Sequence, residues 1–219
     1  MKKYVARAGV LFLLFVAFTV LVALVDVRSI GPLGTEVGLA GINGWVFERI
    51  GVHLLWYHVT DWLGVVAILF AFGFAVTGLV QLIRRRSIRR VDRSLIVLGG
   101  FYGLVIGCYL FFEQVVINYR PVLLGEHPEA SYPSSHTMIV ICIMATAAME
   151  LRRLCPGKKR LWAGMDVFSA VLIAVTVVGR LLSGVHWLSD IVGGLLLSAA
   201  LVLLYDAVTR CVEGDGKLR

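Results

Sequence analysis

Three ionisable side chains stand close together between two long apolar runs. They are Arg180, His186 and Asp190, in the stretch Gly-Arg-Leu-Leu-Ser-Gly-Val-His-Trp-Leu-Ser-Asp from Gly179 to Asp190. Ionisable groups at the edge of a membrane span are costly, and they default to a functional reading. His186 and Asp190 are spaced i, i+4, which puts them on one face of a helix. A carboxylate there accepts from one imidazole nitrogen, fixes the tautomer and leaves the other nitrogen as nucleophile. A second histidine, His136, follows Pro133-Ser134-Ser135. Proline suits a first helical turn and serine caps it, so the sequence predicts a helix start there. The free N–H groups and positive dipole end of such a start bind anions. His136 can protonate a leaving group. Arg120, just before Pro121, and Arg180 can grip a tetrahedral oxyanion through forked, charge-assisted hydrogen bonds. Nucleophile, orienting carboxylate, acid and anion cradle make a phosphoryl-transfer site that requires no metal or other cofactor.

Composition says what must hold these groups. The chain is 59% hydrophobic and 16% charged, against about 45–50% and about 25% in soluble domains. That excludes a soluble globular domain and predicts an all-α, polytopic integral membrane protein. Its partners are then the bilayer and a membrane lipid, and not nucleic acid: the net charge of +7 falls in loops between apolar runs and forms no single patch. About six transmembrane helices are expected, at Tyr4–Val25, Trp62–Ile83, Ser94–Val116, Ser134–Leu154, Leu161–Leu181 and His186–Val208. An uncleaved first span is expected, because the apolar run from Ala8 to Val25 nears full length and no small-x-small cleavage site follows. Gly44 to His58, with Trp45, Phe47, Trp56 and Tyr57, reads as an interfacial helix after the first span. Trp187 reads as an interfacial anchor, His53 and His58 as interfacial, and Glu126, His127 and Glu129 as solvated loop. Residues 1–219 make one membrane domain, with a catalytic core at about 94–208. Cys108, Cys142, Cys155 and Cys211 lack metal-ligand spacing and are expected to be reduced.

Charge sets the expected orientation. With the N-terminus inside, Lys2, Lys3, Arg7, the 84–93 cluster, Arg152, Arg153, Lys158, Lys159, Arg160, Arg210, Lys217 and Arg219 are cytoplasmic, as is the C-terminus. Only Arg28, Arg49, Arg120 and Arg180 lie opposite. The site is therefore expected on the extracytoplasmic face of the cell membrane.

The ordered pieces Arg120-Pro121, then Pro133-Ser134-Ser135-His136, then Gly179-Arg180-x5-His186-x3-Asp190 resemble the type 2 phosphatidate phosphatase superfamily, which includes the vanadium haloperoxidases. Its pattern is Lys-x6-Arg-Pro, Pro-Ser-Gly-His and Ser-Arg-x5-His-x3-Asp. The resemblance implies that His186 attacks phosphorus and forms a phosphohistidine, that Asp190 orients it, and that His136 protonates the leaving alkoxide. It implies that Arg120, Arg180 and Ser134, with Ser135 beside it, hold phosphate oxygens. The implied activity is a metal-independent hydrolase of lipid phosphates or diphosphates such as undecaprenyl diphosphate, phosphatidylglycerophosphate or phosphatidate. Three positions depart from the pattern: Ser135 replaces Gly, Gly179 replaces Ser, and Glu113 replaces Lys. Glu113 reverses a charge where the family touches phosphate. It either pairs with Arg120 or Arg180 and tunes them, or selects a substrate with a cationic group or a bridging metal, or leaves, as the alternative reading, a weakly active or non-catalytic lipid-phosphate binder or carrier of the same fold.

Overall fold

The computed structural model describes residues 2–214; Lys217 and Arg219, counted above for orientation, lie outside the described residues. Among the described residues the chain forms seven α-helices: α1 (Lys2–Leu24), α2 (Ala40–Ile50), α3 (Leu54–Arg85), α4 (Arg93–Gln114), α5 (Ser135–Leu154), α6 (Lys159–Leu182) and α7 (Leu188–Gly214). Five of them, α1, α3, α4, α6 and α7, are long and apolar enough to cross a membrane. The expected fourth span, α5, is not one of these. It carries His136, Thr137, Thr146, Glu150, Arg152 and Arg153, yet it packs against α3, α4, α6 and α7. A helix enclosed by neighbours presents little surface to lipid, so it tolerates polar residues that a peripheral helix cannot.

The expected interfacial helix is shorter and earlier than the aromatic pattern suggested. α2 ends at Ile50, and Gly51, with φ +70°, breaks the chain. Leu54–His58 is instead the first turn of α3, which runs for 32 residues. Trp56 and Tyr57 are half-buried against α6: the Trp56 ring lies against Gly179 and the Tyr57 ring lies 5.1 Å from the Arg180 guanidinium. Trp45 is exposed, with the Arg49 guanidinium 3.8 Å above its ring.

The basic connections share one end of the bundle. Arg93 donates to the Val212 carbonyl, Arg153 pairs with Glu213 at 3.1 Å, and Arg210 lies over the Tyr4 ring. There Asp92 organises the α3–α4 turn, accepting from Gln81 and Arg85, both at 2.7 Å. At the same end a buried carboxylate, Glu150, accepts from Tyr205 and from Arg153, tying α5 to α7 with the pairing that a buried charge demands. All four cysteines are free.

The opposite end holds α2, the α4–α5 loop and the α6–α7 turn. His53 N–H donates to the Ser183 carbonyl at 3.1 Å, joining the α2–α3 turn to the α6–α7 turn. Tyr132 pins the start of α5 there. Its ring stacks on Phe15 of α1 at 6.4 Å, its hydroxyl meets Thr19 at 2.8 Å, and it lies on Gly193 of α7, where a Cβ would come within 2.5 Å of the ring. Between helices in lipid, close approach through small residues and interhelical hydrogen bonds carry association, because burial from lipid supplies little. Aromatic pairs of this kind add about 0.5–1.5 kcal/mol each beyond their buried area.

Candidate active site

Each motif residue is delivered by a different element to this second end. Ser134 caps α5, its Oγ accepting from Thr137 N–H at 3.5 Å, and its own N–H donates to the Asp190 carbonyl at 3.0 Å. Ser134 is fully buried. Ser135, one residue on, is more open and lines two cavities together with His136. Arg120 sits on the α4–α5 loop, which closes on itself through paired backbone contacts: Arg120 N–H donates to Glu129 at 3.0 Å and Ser131 N–H donates to Asn118 at 2.9 Å.

His186 does not lie on α7, which starts at Leu188. It occupies the turn just before, and Asp190 is the third residue of the helix. The Asp190 Oδ2 reaches back to accept from the Trp187 N–H at 2.9 Å, the arrangement by which an acidic third residue caps a helix start. The His186 Nδ1 lies 3.6 Å from the same Oδ2, a contact longer than a hydrogen bond. The expected pairing on one helix face is thus a turn-to-helix contact, in which the carboxylate holds backbone and imidazole together. Asn118 Nδ2 donates to Asp190 Oδ1 at 3.3 Å and to Ser189 Oγ at 3.3 Å. Asn43 of α2 completes the set: its Nδ2 donates to Ser189 Oγ at 2.9 Å and its Oδ1 accepts from Ser189 N–H at 3.1 Å. Trp187, expected at the membrane interface, is instead buried; its Nε1 donates to the Tyr119 carbonyl at 2.7 Å and its ring meets Phe47 of α2 at 5.5 Å. Packing of α2 onto the start of α7 removes it from the interface.

The electrostatics favour a neutral His186. Burial, then the charges of Arg120 and Arg180, hold the His186 imidazole well below its ordinary value near 6.5. His186 is 3% exposed and Arg180 is fully buried. Both ring nitrogens of His186, Nη1 of Arg120, and Nε and Nη1 of Arg180 make no hydrogen bond among the described residues. Buried donors are ordinarily satisfied, so these free guanidinium N–H groups are suited to an anion.

Two acidic residues outside the motifs hold the arginines. Glu129, read from sequence as solvated loop, lies 3.0 Å from Arg120 Nε. Asp61 of α3 bonds Arg180 Nη2 and also lies 3.0 Å from His136 Nε2. Asp61 sits in the α3 sequence Thr-Asp-Trp-Leu-Gly, where a lone carboxylate at the end of a span gives no motif; its position in an otherwise apolar helix is the one available signal. Glu113 contacts neither arginine: it is exposed, forms no ion pair among the described residues, and lines a cavity of about 530 Å³ with Tyr109, Arg120, Glu129, Ser135 and His136. A second cavity of about 410 Å³ runs between α3 and α5, lined by Asp61, Gly64, Val65, Ile68, Ile139 and Val140, and meets the first at Tyr109, Ser135 and His136. A separate apolar groove of about 430 Å³ between α3 and α4 contains no charged side chain.

The sequence matches the family profile of the PAP2 superfamily over residues 4–212. The chain belongs to the PAP2 superfamily. No curated protein sequence matches it. The fold is similar to the crystal structure of a transmembrane PAP2 type phosphatidylglycerolphosphate phosphatase from Bacillus subtilis, with a TM-score of 0.64 and 16% identity over 94% of this chain and 96% of that one. At that identity the likeness speaks for the fold. The protein is thus an integral membrane protein of the PAP2 phosphatase fold, and Arg120, His136, Arg180, His186 and Asp190 lie at one end of the bundle.

Proposed function

We propose that this PAP2 protein is a lipid phosphate or diphosphate phosphatase working through a phosphohistidine. The observation that carries the reading is the placing at one end of the bundle of the buried His186 imidazole, the buried Arg180 guanidinium, the half-buried Arg120 guanidinium and His136 at the first turn of α5. Asp190 stands nearest Nδ1, so Nε2 of His186 is the attacking atom. Its lone pair forms the P–N bond as the P–O bond to the lipid breaks. His136 gives a proton to the leaving oxygen. In the second half His136 takes a proton from water, the water oxygen attacks phosphorus, the P–N bond breaks, and phosphate leaves with His186 neutral again. Arg120, Arg180 and the α5 N-terminus neutralise charge on the equatorial oxygens. The cleft between α3 and α5 suits the lipid chain, because apolar side chains line its α3 and α5 walls while its inner end reaches His136. The basic end of the bundle lies opposite, which favours an extracytoplasmic site.

The test is turnover. Purified protein in detergent should release phosphate from phosphatidate, phosphatidylglycerophosphate or an isoprenyl diphosphate. Vanadate should inhibit, since its trigonal-bipyramidal adduct with His186 mimics the transition state. Tight binding of these lipids without release would favour the binder reading.

Glu113 has a prediction of its own. It is exposed and unpaired, so Glu113→Lys should leave thermal stability within about 0.5 kcal/mol. It lines the cavity beside Arg120, so the added positive charge should lower KM for lipid phosphate by about three- to tenfold. Steady-state kinetics at fixed ionic strength measure this; an unchanged or higher KM would show that Glu113 does not oppose phosphate.

A further inference from the structure

Among the described residues, Asp61 is the one carboxylate outside the motifs that touches two site residues at once. Its Oδ1 accepts from Arg180 and lies 3.0 Å from His136 Nε2, so α3, α5 and α6 meet on a single oxygen. One glycine makes the α3–α6 side of that meeting possible. Gly179 precedes Arg180, and a Cβ there would stand 2.6 Å from Thr60 Cγ2, the residue before Asp61. Gly64 lies one turn after Asp61, and a Cβ there would meet His136 Cδ2 at 3.4 Å, an ordinary contact distance. Gly179 thus lets α3 close on α6 beside Asp61, while the His136 ring lies against α3 one turn on. The Asp61 side chain is 34% exposed, while the Arg180 side chain it holds is fully buried. Asp61 also lines the apolar cleft at the point where it reaches His136.

We propose that Asp61 is a positioning residue, which holds the His136 imidazole and the Arg180 guanidinium in register and yields Arg180 to the incoming phosphate. The inference rests on the phosphatase reading of the site. Its physical content is competition. Arg180 needs a counter-charge in its buried position, and a carboxylate supplies it between turnovers. A phosphate dianion offers more charge and more acceptor oxygens, so it displaces the carboxylate from one partner. The carboxylate still orients His136. Two consequences have opposite signs. Loss of the Asp61 charge misplaces the acid and lowers kcat. The same loss removes a competitor and a like charge, so free anion binds more tightly. A merely structural residue would weaken both.

The experiment compares full-length wild type, Asp61→Asn and Asp61→Glu in detergent. It measures kcat on a short-chain lipid phosphate, the equilibrium affinity for inorganic phosphate, and thermal unfolding. Asp61→Asn should lower kcat by about 10- to 100-fold, the scale of a misplaced catalytic group. It should tighten inorganic phosphate by about tenfold or less, the scale of one partly solvated charge removed. Asp61→Glu should hold phosphate at the wild-type affinity, with kcat between the other two. A kcat of Asp61→Asn within twofold of wild type overturns the proposal, and so does phosphate affinity that weakens together with kcat. Should Asp61→Asn fail to fold, wild-type kcat in a folded Asp61→Glu overturns it equally. A wild-type protein without turnover defeats the phosphatase reading alone; the phosphate-affinity arm still decides the competition at Asp61.

Discussion

Replacement of His186 by alanine should remove phosphate release, by a factor on the order of 10⁴ or more, while the protein should still bind lipid phosphate. The magnitude follows from the role. Removing a nucleophile leaves only positioning and electrostatic stabilisation, and losses of about 10⁴–10⁶ are the usual scale. Binding survives because Arg120, Arg180 and the first turn of α5 are separate elements, none held by a hydrogen bond from His186. Two further readouts isolate the covalent step. Wild type quenched in alkali should carry acid-labile phosphate on protein, and His186→Ala should carry none. Vanadate inhibition should also vanish, since its adduct needs the imidazole. Release by His186→Ala within about tenfold of wild type would reject His186 as nucleophile.

Gly179→Ser should damage the enzyme, although serine is the residue that the superfamily pattern places there. From the motif alone, serine adds a phosphate donor. The packing predicts the reverse. A Cβ at position 179 would stand 2.6 Å from Thr60 Cγ2 and 3.1 Å from Trp56 Cε3. Thr60 has little freedom to yield: it is fully buried, and its hydroxyl donates to the Trp56 and Tyr57 carbonyls at 2.8 and 2.9 Å. The first turn of α3 must therefore move away from α6. Overpacking of this kind costs about 1–3 kcal/mol. The displacement carries Asp61 away from Arg180, so a loss of about 10- to 100-fold in kcat is expected with it. Thermal unfolding and steady-state kinetics read the two effects. A Gly179→Ser protein as stable and as active as wild type would show that α3 and α6 separate without cost.

These two positions differ in how far the sequence reaches. His186 stands out in one dimension: a histidine, an arginine six residues before it and an aspartate four after it, between apolar runs. Gly179 reads in one dimension only as a missing serine. Its meaning lies in Trp56 and Thr60, more than a hundred residues earlier. The same contrast runs through the acidic residues. Glu113 draws notice because it breaks a motif, yet it forms no ion pair among the described residues. Asp61 and Glu129 belong to no motif, yet each holds one of the two site arginines.

Local signals misread an aromatic residue for the same reason. Trp187 has interfacial composition, but α2 packs over it and it is buried. The fourth expected span shows the converse: α5 is less apolar than its neighbours because four other helices surround it. Even the His186–Asp190 spacing was decided by the turn, since α7 starts two residues after His186 and Asp190 caps it.

By itself the sequence determined that this is a helical membrane protein with several apolar runs long enough to span, and it marked the arginines and histidines that match the PAP2 pattern. Those properties are local: hydropathy, period and motif spacing are written along the chain. Only the tertiary structure decided which carboxylates restrain the arginines, why position 179 is glycine, and where Glu113 points. Those depend on which helices touch, and contact between α3 and α6 is set by small residues meeting across the bundle, a pairing that no single stretch of chain contains.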